Sequence, residues 1–520
     1  MTVTLSRIVA GALILWSAFQ GTRAPQTSIQ PYETQDLDAP QLLIQSYVLS
    51  TDFVPQERAL LLQRLCLAGV RIEPALARVW AEDLFALSYE LPLSHRRVAH
   101  QKNALVVIAF SDPERAMDLL LVMDKPVPLQ DGRIPEDVRA DGARAIFAEY
   151  HKRRGAAALE RIRVVAQHLG QTGEYPYAAI VPTLEEMAQR DLPGAQSMFE
   201  EAVSYYGQDS RIRGQDQRFL RFLLSVRGFI PNGSLRLALK RLVTEITARA
   251  SQKDAGEHFV AEVYTDKGPV QLHERSDAIL VQLLPMIREV DAQWARDLVD
   301  SRPEIKRVLE TGTPLRVGTV VIRGNADPRQ MASLQREAID DSRLAEVEEL
   351  AQRSPEEALN LAETIQDPVS RSAGLSAVVR GAVTKNRTLA TSVFEEMKQS
   401  TETIKDDLSR LEVLSSLASA AAALGDKTAF WKAFNDGLDL GEELFQSSLD
   451  ANPTITTLDI AALPPLERLV EAGIEIEPQA VSARILQIEN RVLRAHLLVS
   501  AAEALERRRS KISNAPPPEP

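Results

Sequence analysis

The sequence contains few of the residues that mark disulfide-bonded, β-rich or membrane-embedded proteins. Among its 520 residues Cys66 is the only cysteine, which excludes a disulfide within the chain. Glycine occurs only 24 times and aromatic residues make up 5% of the chain, a composition that favours helices. Beyond the N-terminus, no run approaches the roughly 18 consecutive apolar residues of a membrane-spanning helix. We therefore expect a soluble, mainly helical protein in which Cys66 is a buried apolar residue.

Length and charge set further limits. A chain of 520 residues exceeds one ordinary compact core, so it should divide into several units or form an extended repeat array. Lysine and arginine total 60 against 72 aspartate and glutamate residues, which gives a net charge of -12 at pH 7. Such an acidic chain lacks the extensive basic surface that nucleic acids require. We therefore expect no nucleic-acid partner.

The N-terminus has the pattern of an export signal. Arg7 provides a short positive segment, and residues 8–19 form an apolar run that is too short to span a bilayer comfortably. Thr22 and Ala24 are small residues spaced as at a cleavage site, although Pro25 follows directly. The sequence predicts a periplasmic or secreted protein, either cleaved after Ala24 or held at the membrane by an uncleaved N-terminal segment.

Apolar residues recur along the chain at the spacing i, i+3, i+4 and i+7, which places four side chains on one face of an α-helix. Clear examples are Ala116, Leu119, Leu120 and Met123; Phe219, Phe222, Leu223 and Val226; Ala390, Val393, Phe394 and Met397; and Leu498, Ala501, Ala502 and Leu505. Each stripe covers only two or three turns. Helices this short must stack on neighbours to bury their apolar faces, so the pattern predicts an all-α fold of stacked helical hairpins, as in an α-solenoid.

Capping residues mark where several of these helices begin. Asp112 precedes a proline and an acidic residue, which suits the first turn of a helix. Thr183 and Glu186 have the spacing of a capping box, which predicts another helix start. Gly425 and Asp426 have the pattern of a left-handed turn that ends one helix and an N-cap that begins the next.

Two alignments indicate a repeated unit. Ala358 and Ala390 occupy equivalent positions 32 residues apart, close to the length of a two-helix repeat. Arg371, Arg410 and Arg494 each precede apolar residues four and seven places later, at separations of 39 and 84 residues. The second separation is about twice the first, so we expect a repeat whose length varies through insertions.

Some positions match a known repeat. The pattern Ala195-x3-Phe199-x2-Ala202 and the shorter Ala390-x3-Phe394 resemble the second-helix positions of a degenerate tetratricopeptide repeat. The resemblance implies an α-solenoid that binds a partner and carries no chemistry of its own.

Breaks in the helical pattern divide the chain. We predict, in order, a signal peptide or anchor over residues 1–24, a linker over 25–40, an N-terminal helical-hairpin domain over 41–310, a connection over 311–330, a C-terminal helical repeat domain over 331–509 and a disordered Pro-rich tail over 510–520. Within the connection, Val317 and residues 320–322 have strand character. Because no partner strand is visible, we expect an irregular, extended segment there.

No motif indicates catalysis, a cofactor or a metal ion. None of the seven histidines pairs with another at the i, i+4 spacing of a helical metal site. Lys427 follows Gly425 as at the end of a phosphate-binding loop, but Asp426 intervenes and no glycine opens the loop. Adjacent glutamates such as Glu185 and Glu186 are typical of a solvated helix face. We therefore predict no catalytic, cofactor-binding or metal-binding residue and no cofactor.

These observations together predict an exported, non-enzymatic helical-repeat scaffold that binds a protein or peptide partner in the cell envelope. Two alternatives remain open. One is an all-α enzyme that acts on envelope glycans through a carboxylate pair in a helical groove, which two close, buried carboxylates of raised pKa would favour. The other is an assembly factor anchored in the membrane by an uncleaved N-terminus. The repeat spacing does not indicate which face of the array binds.

Overall fold

The computed structural model describes residues 38–128, 138–207, 215–250, 257–323, 328–452 and 455–513. The described residues, which begin at Asp38, form one compact unit. The predicted export signal, most of the predicted linker and the Pro-rich end of the chain lie outside the described residues.

In the first part of the chain the helices are α1 (Ala39–Ser50), α2 (Pro55–Ile72), α3 (Pro74–Ser88), α4 (His95–Ser111), α5 (Pro113–Val122), α6 (Val138–Arg154), α7 (Leu159–Gln171), α8 (Tyr177–Arg190), α9 (Leu192–Tyr205), α10 (Gln215–Val226), α11 (Asn232–Ala250), α12 (Arg275–Val290), α13 (Ala292–Asp300) and α14 (Pro303–Thr311). In the second part they are α15 (Pro328–Ala351), α16 (Pro355–Ala362), α17 (Pro368–Ala382), α18 (Arg387–Thr401), α19 (Asp407–Leu424), α20 (Lys427–Ala451), α21 (Leu463–Ile476), α22 (Pro478–Leu486) and α23 (Arg491–Ser513). Short 3-10 turns lie at Gly155–Ala158 and Thr457–Asp459.

Capping chemistry confirms two predicted helix starts and corrects a third. Asp112 and Asp426 are N-caps, and each accepts a hydrogen bond at 3.0 Å from a backbone N–H of the first turn. Gly425 ends α19 in the left-handed region at φ 74°, where glycine carries no steric penalty. The predicted start at Thr183 is wrong: this residue is buried inside α8, because the buried face of that helix already begins at Tyr177.

Two helices extend beyond the predicted domain boundaries. α1 begins at Ala39, inside the predicted linker, where the Asp38 side chain caps its first turn in a capping box. α23 continues to Ser513, inside the predicted tail. Lys511 pairs there with Glu475 of α21 at 2.7 Å, so contact with a neighbouring helix accompanies the extra turn.

Three antiparallel strands form the one sheet of the described residues: β1 (Glu257–Thr265), β2 (Gly268–Leu272) and β3 (Pro314–Arg323), in the order β2-β1-β3. Val317 pairs with Val263 and Val320 with Val260. This corrects the prediction of an irregular connection over 311–330, because β3 finds its partner about fifty residues earlier in the chain. The sheet contacts α12 and α14, and the prediction of an all-α fold of stacked hairpins is confirmed around it.

Each helix generally packs against the next helix in the chain and against the next but one. Every second helix from α2 to α12 and from α15 to α23 belongs to one layer, which we call the inner layer. It contains α15, α17, α19, α21 and α23 in the second part and α2, α4, α6, α8, α10 and α12 in the first. The intervening helices form the outer layer. Gly381 shows how closely inner helices approach, since a Cβ added there on α17 would lie 2.0 Å from the carbonyl oxygen of Ala351 on α15.

The two parts of the chain meet at a helical hairpin formed by the first and last described helices. α1 packs against α23 and α2, and α23 also packs against α2. Ser46 Oγ on α1 donates to the carbonyl oxygen of Ala495 on α23 at 2.9 Å in a buried contact. Arg491 and Asp52 form an ion pair at 2.9 Å at the edge. α1 therefore lies in the outer layer beside α23. We call the two helices α1 and α23 the chain-end hairpin.

Two of the three aligned arginines, Arg371 and Arg494, have a structural role in the array. The Arg371 side chain donates to the carbonyl oxygen of Ile365 at 2.8 Å, and that of Arg494 donates to Leu486 at 3.2 Å. Both carbonyls lie at or just after the end of the preceding outer helix, where backbone acceptors lack helical partners. Arg97 makes the same contact to Leu91 at 3.0 Å, although the alignment did not include it.

The chain-end hairpin predicts which residues of α1 control the stability of the whole unit. Leu42 is fully buried, and the neighbours of α1 are α2 and α23, so Leu42→Ala leaves a cavity at the junction. We expect a loss of about 2–5 kcal/mol in the free energy of unfolding, measured by urea denaturation. The control Val48→Ala, on the same helix at 59% exposure, should change stability by less than about 0.5 kcal/mol. Equal effects of the two substitutions would contradict the placement of α1.

Candidate binding groove

A groove crosses five consecutive inner helices of the second part. It has a volume of about 810 Å³. Its lining includes Leu344 and Glu348 on α15; Ser370, Ala373, Ser376 and Arg380 on α17; Glu412, Ser415, Ser416, Ser419, Ala422 and Ala423 on α19; Arg468, Glu471, Ala472 and Glu475 on α21; and Ala504, Arg507 and Lys511 on α23.

Small side chains create the space in this groove. α19 contributes Ser415, Ser416, Ser419, Ala422 and Ala423, which follow the spacing of one helix face. Another face of the same helix is apolar and buried in the array. Because serine and alanine project little from a helix, a ligand can approach the α19 backbone closely. The inner helices therefore have two specialised faces, one for packing and one for the groove.

Ion pairs join neighbouring inner helices along the groove. Arg507 and Lys511 on α23 pair with Glu471 and Glu475 on α21, each at 2.7 Å. Arg468 on α21 pairs in the same sense with Glu412 on α19. These side chains are between about a quarter and three quarters exposed, so each pair contributes little to stability. Their main effect is to give the groove charges of both signs at fixed positions.

The series of ion pairs does not continue to Arg380 on α17. Arg380 on α17 faces Ser419, to which its Nη1 donates at 3.0 Å, and it forms no ion pair with any described carboxylate. One turn earlier, Ser376 also lines the groove. Ser376 is 1% exposed, and its hydroxyl has no hydrogen-bond partner among the described residues. The middle of the groove thus contains a cation and a hydroxyl whose hydrogen-bonding capacity is largely unused.

A partly buried polar cluster lies beside the groove where the two parts of the chain meet. Arg64 of α2 lies 2.5 Å from Glu467 on α21 and contacts two residues of α23, with His496 Nδ1 at 2.9 Å and Ser500 Oγ at 3.1 Å. Arg468, which lines the groove, is the next residue after Glu467. A single guanidinium therefore ties an inner helix of the first part to two inner helices of the second.

The charge states within this cluster follow from its contacts. Because the guanidinium of Arg64 only donates, His496 Nδ1 accepts and the ring proton lies on Nε2, which has no partner among the described residues. Complete burial and the nearby Arg64 hold the pKa of His496 well below its usual range. Burial raises the pKa of Glu467 against the opposing effect of Arg64. His496 is therefore a neutral structural residue at neutral pH.

The described carboxylates of raised pKa do not form an acid/base pair. Glu174 contacts Arg139 in the N-terminal part, Asp277 lies 3.2 Å from Arg302, and Glu467 lies beside Arg64. Burial is the largest cause of each raised pKa, and an arginine opposes it each time. Each is thus the acidic partner of an arginine, and Asp277 shares Arg302 with Glu274, whose charge also raises the pKa of Asp277. No two of these three carboxylates pair with the same arginine, in contrast to the close pair of raised pKa that the glycan-enzyme alternative requires.

Residues singled out from the sequence are dispersed in the fold. Cys66 is buried as predicted, and burial raises the pKa of its thiol. Among the described residues, no group of three or more histidine, cysteine, aspartate or glutamate side chains is placed to hold a metal ion. Gly425 and Asp426 lie at the junction of α19 and α20 as a helix end and a cap. None of the described helices combines the length and apolarity that crossing a bilayer requires.

Sequence reasoning missed Arg380 and Arg64. The signal for the groove is present in α19, where residues 411–424 are apolar or small on nearly every side, as expected of a helix packed on more than one face. The role of Arg64 has no local signal, because its partners Glu467 and His496 are about 400 residues away in the sequence.

No family model matches the sequence, and no curated protein matches it. Among solved structures, one match is described as a "Circular tandem repeat protein with novel repeat topology and enhanced subunit contact surfaces". The two chains share 13% sequence identity at a TM-score of 0.16, and the alignment covers 92% of this chain and 100% of that chain. A match at this level carries no argument about function.

The lowered pKa of His496 predicts a specific pH dependence of stability. Below the ordinary histidine pKa of 6.5, the unfolded imidazole takes up a proton that the folded protein excludes, so acid favours unfolding. The stability advantage of the wild type over His496→Gln should therefore shrink by up to about 1.4 kcal/mol per pH unit below pH 6.5. Urea denaturation between pH 7.5 and about 5.5 measures it.

The matched control is His168→Gln, at an exposed position on α7. The change in its stability difference from the wild type over the same pH range is subtracted from that of His496→Gln. Parallel stability curves for the wild type and His496→Gln would contradict the assignment of a neutral, buried imidazole.

Proposed function

We propose that this chain is a non-enzymatic helical-repeat scaffold that binds a polypeptide segment of a partner protein in the groove. The observation that carries the proposal is the face of small and charged residues that five consecutive inner helices turn toward one concave surface. Concave surfaces of this kind are the binding faces of helical solenoids.

The dimensions of the groove suit a peptide better than a small molecule. Adjacent packed helices lie about 8–10 Å apart, so five inner helices span roughly 32–40 Å. An extended chain rises about 3.3 Å per residue, and a segment of about ten to twelve residues covers that distance. Alternating hydroxyls, small side chains and fixed charges provide contacts for both the backbone and the side chains of such a segment.

The glycan-enzyme alternative receives no support from the described carboxylates. Three of the four glutamates of the groove form ion pairs with arginine or lysine. The fourth, Glu348, forms no hydrogen bond with another carboxylate of the described residues. A binding role needs no raised pKa and is compatible with these ion pairs. We also propose that the hairpins are of the tetratricopeptide type. The support is that Ala195, Phe199, Ala390 and Phe394 are buried in the second helices of their hairpins.

We further propose that the partner is met outside the cytoplasm, in the periplasm or beyond the cell. The support is the sequence of the N-terminus, with Arg7 followed by the apolar residues 8–19. If that segment stays uncleaved, the same groove would act from the membrane surface, which is the assembly-factor alternative. The proposal for the groove is the same in both cases.

Photo-crosslinking tests the proposed binding face. A benzophenone amino acid is placed at Ala423, which is half-buried in the groove, or at Gln399, which is exposed on the outer helix α18. After irradiation in an envelope extract, we expect a discrete adduct from Ala423 and none from Gln399. Mass spectrometry of the adduct identifies the partner segment. Adducts of equal yield from both positions, or from Gln399 alone, would place binding elsewhere and contradict the proposal.

A further inference from the structure

The middle of the groove contains an incomplete step in the series of ion pairs. Along α19, α21 and α23, each basic side chain of one inner helix pairs with a glutamate on the preceding inner helix. By the same pattern, the partner of Arg380 on α17 would be Glu348 on the preceding inner helix α15, but Arg380 donates to Ser419 on α19. Burial lowers the pKa of Arg380 and the charge of Glu348 opposes this effect, although the two side chains form no ion pair. Arg380 is therefore the basic residue of the groove that lacks a described carboxylate partner.

The remaining capacity of Arg380 is specific for an anion. A guanidinium has five N–H donors, and the contact with Ser419 at 3.0 Å is the one hydrogen bond that Arg380 donates within the described residues. Such a fork matches the two oxygens of a carboxylate better than it matches neutral acceptors. The short side chains of Ser416, Ser419 and Ala423 leave space beside it on the groove side.

A second observation points to the same position. Ser376 lies one helical turn before Arg380, lines the groove and is 1% exposed, yet its hydroxyl has no partner among the described residues. A buried hydroxyl without a partner costs free energy that a hydrogen bond from it to a ligand recovers. A hydroxyl can donate to a carboxylate oxygen, so Ser376 and Arg380 offer donors to the same group.

We propose that this position receives an aspartate or glutamate side chain of the bound partner segment, held by Arg380 with the hydroxyls of Ser376 and Ser419 beside it. This inference rests on the proposed function and adds to it the chemistry of the ligand. The carboxylate would supply the ion pair that Arg380 does not form with Glu348. The partner is thus an acidic segment of a polypeptide, oriented by one fixed charge contact.

A peptide selection tests the inference with the full chain. A displayed library of random twelve-residue peptides is selected on the wild type, on Arg380→Glu and on Arg353→Glu. Arg353 is a matched control because it carries the same charge change at 75% exposure and pairs only with Glu349, outside the groove. We expect enrichment of aspartate or glutamate at one peptide position on the wild type and on Arg353→Glu, and loss of that enrichment on Arg380→Glu.

A selected peptide then measures the contact directly. Replacement of its enriched acidic residue by the neutral amide should weaken binding to the wild type about tenfold, as judged by fluorescence anisotropy. The same replacement should change binding to Arg380→Gln by less than about twofold, because the partner of the carboxylate is already absent. Ser376→Ala should weaken binding of the acidic peptide and leave binding of the amide peptide nearly unchanged.

The outcomes separate this inference from the proposed function. Two results would overturn the carboxylate site and leave a peptide-binding groove. In the first, the peptides crosslink to the benzophenone at position 423 but show no acidic preference. In the second, the acidic preference survives Arg380→Glu. Failure to select any peptide that crosslinks to position 423 would overturn both. Circular dichroism of each variant checks that the helical fold is retained, and Arg380→Gln provides a second, milder variant if Arg380→Glu is unfolded.

Discussion

The contact between α1 and α23 is the interaction on which the rest of the structure depends. It joins the first and last described helices in one hairpin, so the inner layer continues from α23 to α2 although these helices are distant in sequence. The buried hydrogen bond from Ser46 to Ala495 fixes the pairing, and Arg64 crosses the same junction to Glu467 and His496. Besides this pairing, contacts between α2 and α23 and ion pairs such as Arg96 with Asp459 hold the two series of hairpins together at the junction.

The groove is a consequence of close helix packing on one side of the inner layer. Small residues allow neighbouring inner helices to approach, as at Gly381 against Ala351. A second face of small residues on α19 then remains open toward the concave side, bordered by charged residues on α17 and α21. Long side chains there would fill the groove, and large apolar ones would leave an exposed apolar patch. Serine, alanine and paired charges keep it open and compatible with water.

Patterns that depend on neighbouring residues could be read from the sequence. Helical stripes, the cap at Asp112 and the end of α19 at Gly425 reflect local hydrogen bonds and local burial, and the structure confirms them. Long-range partners could not be read in this way. The strand β3 looked unpaired because β1 lies about fifty residues earlier, and the partners of Arg64 lie about 400 residues away. Arg380 gave no signal because its importance comes from a missing partner on another helix.

Specific cleavage of the folded chain tests the junction most directly. A protease site introduced between Arg323 and Pro328 would divide the chain after β3, and the contacts between the two halves would then be those around the chain-end hairpin. We expect the cleaved halves to stay together in native gel filtration and to separate in urea at the same midpoint at which the helical signal is lost. Separation of the halves under native conditions would contradict a continuous array closed by α1 and α23.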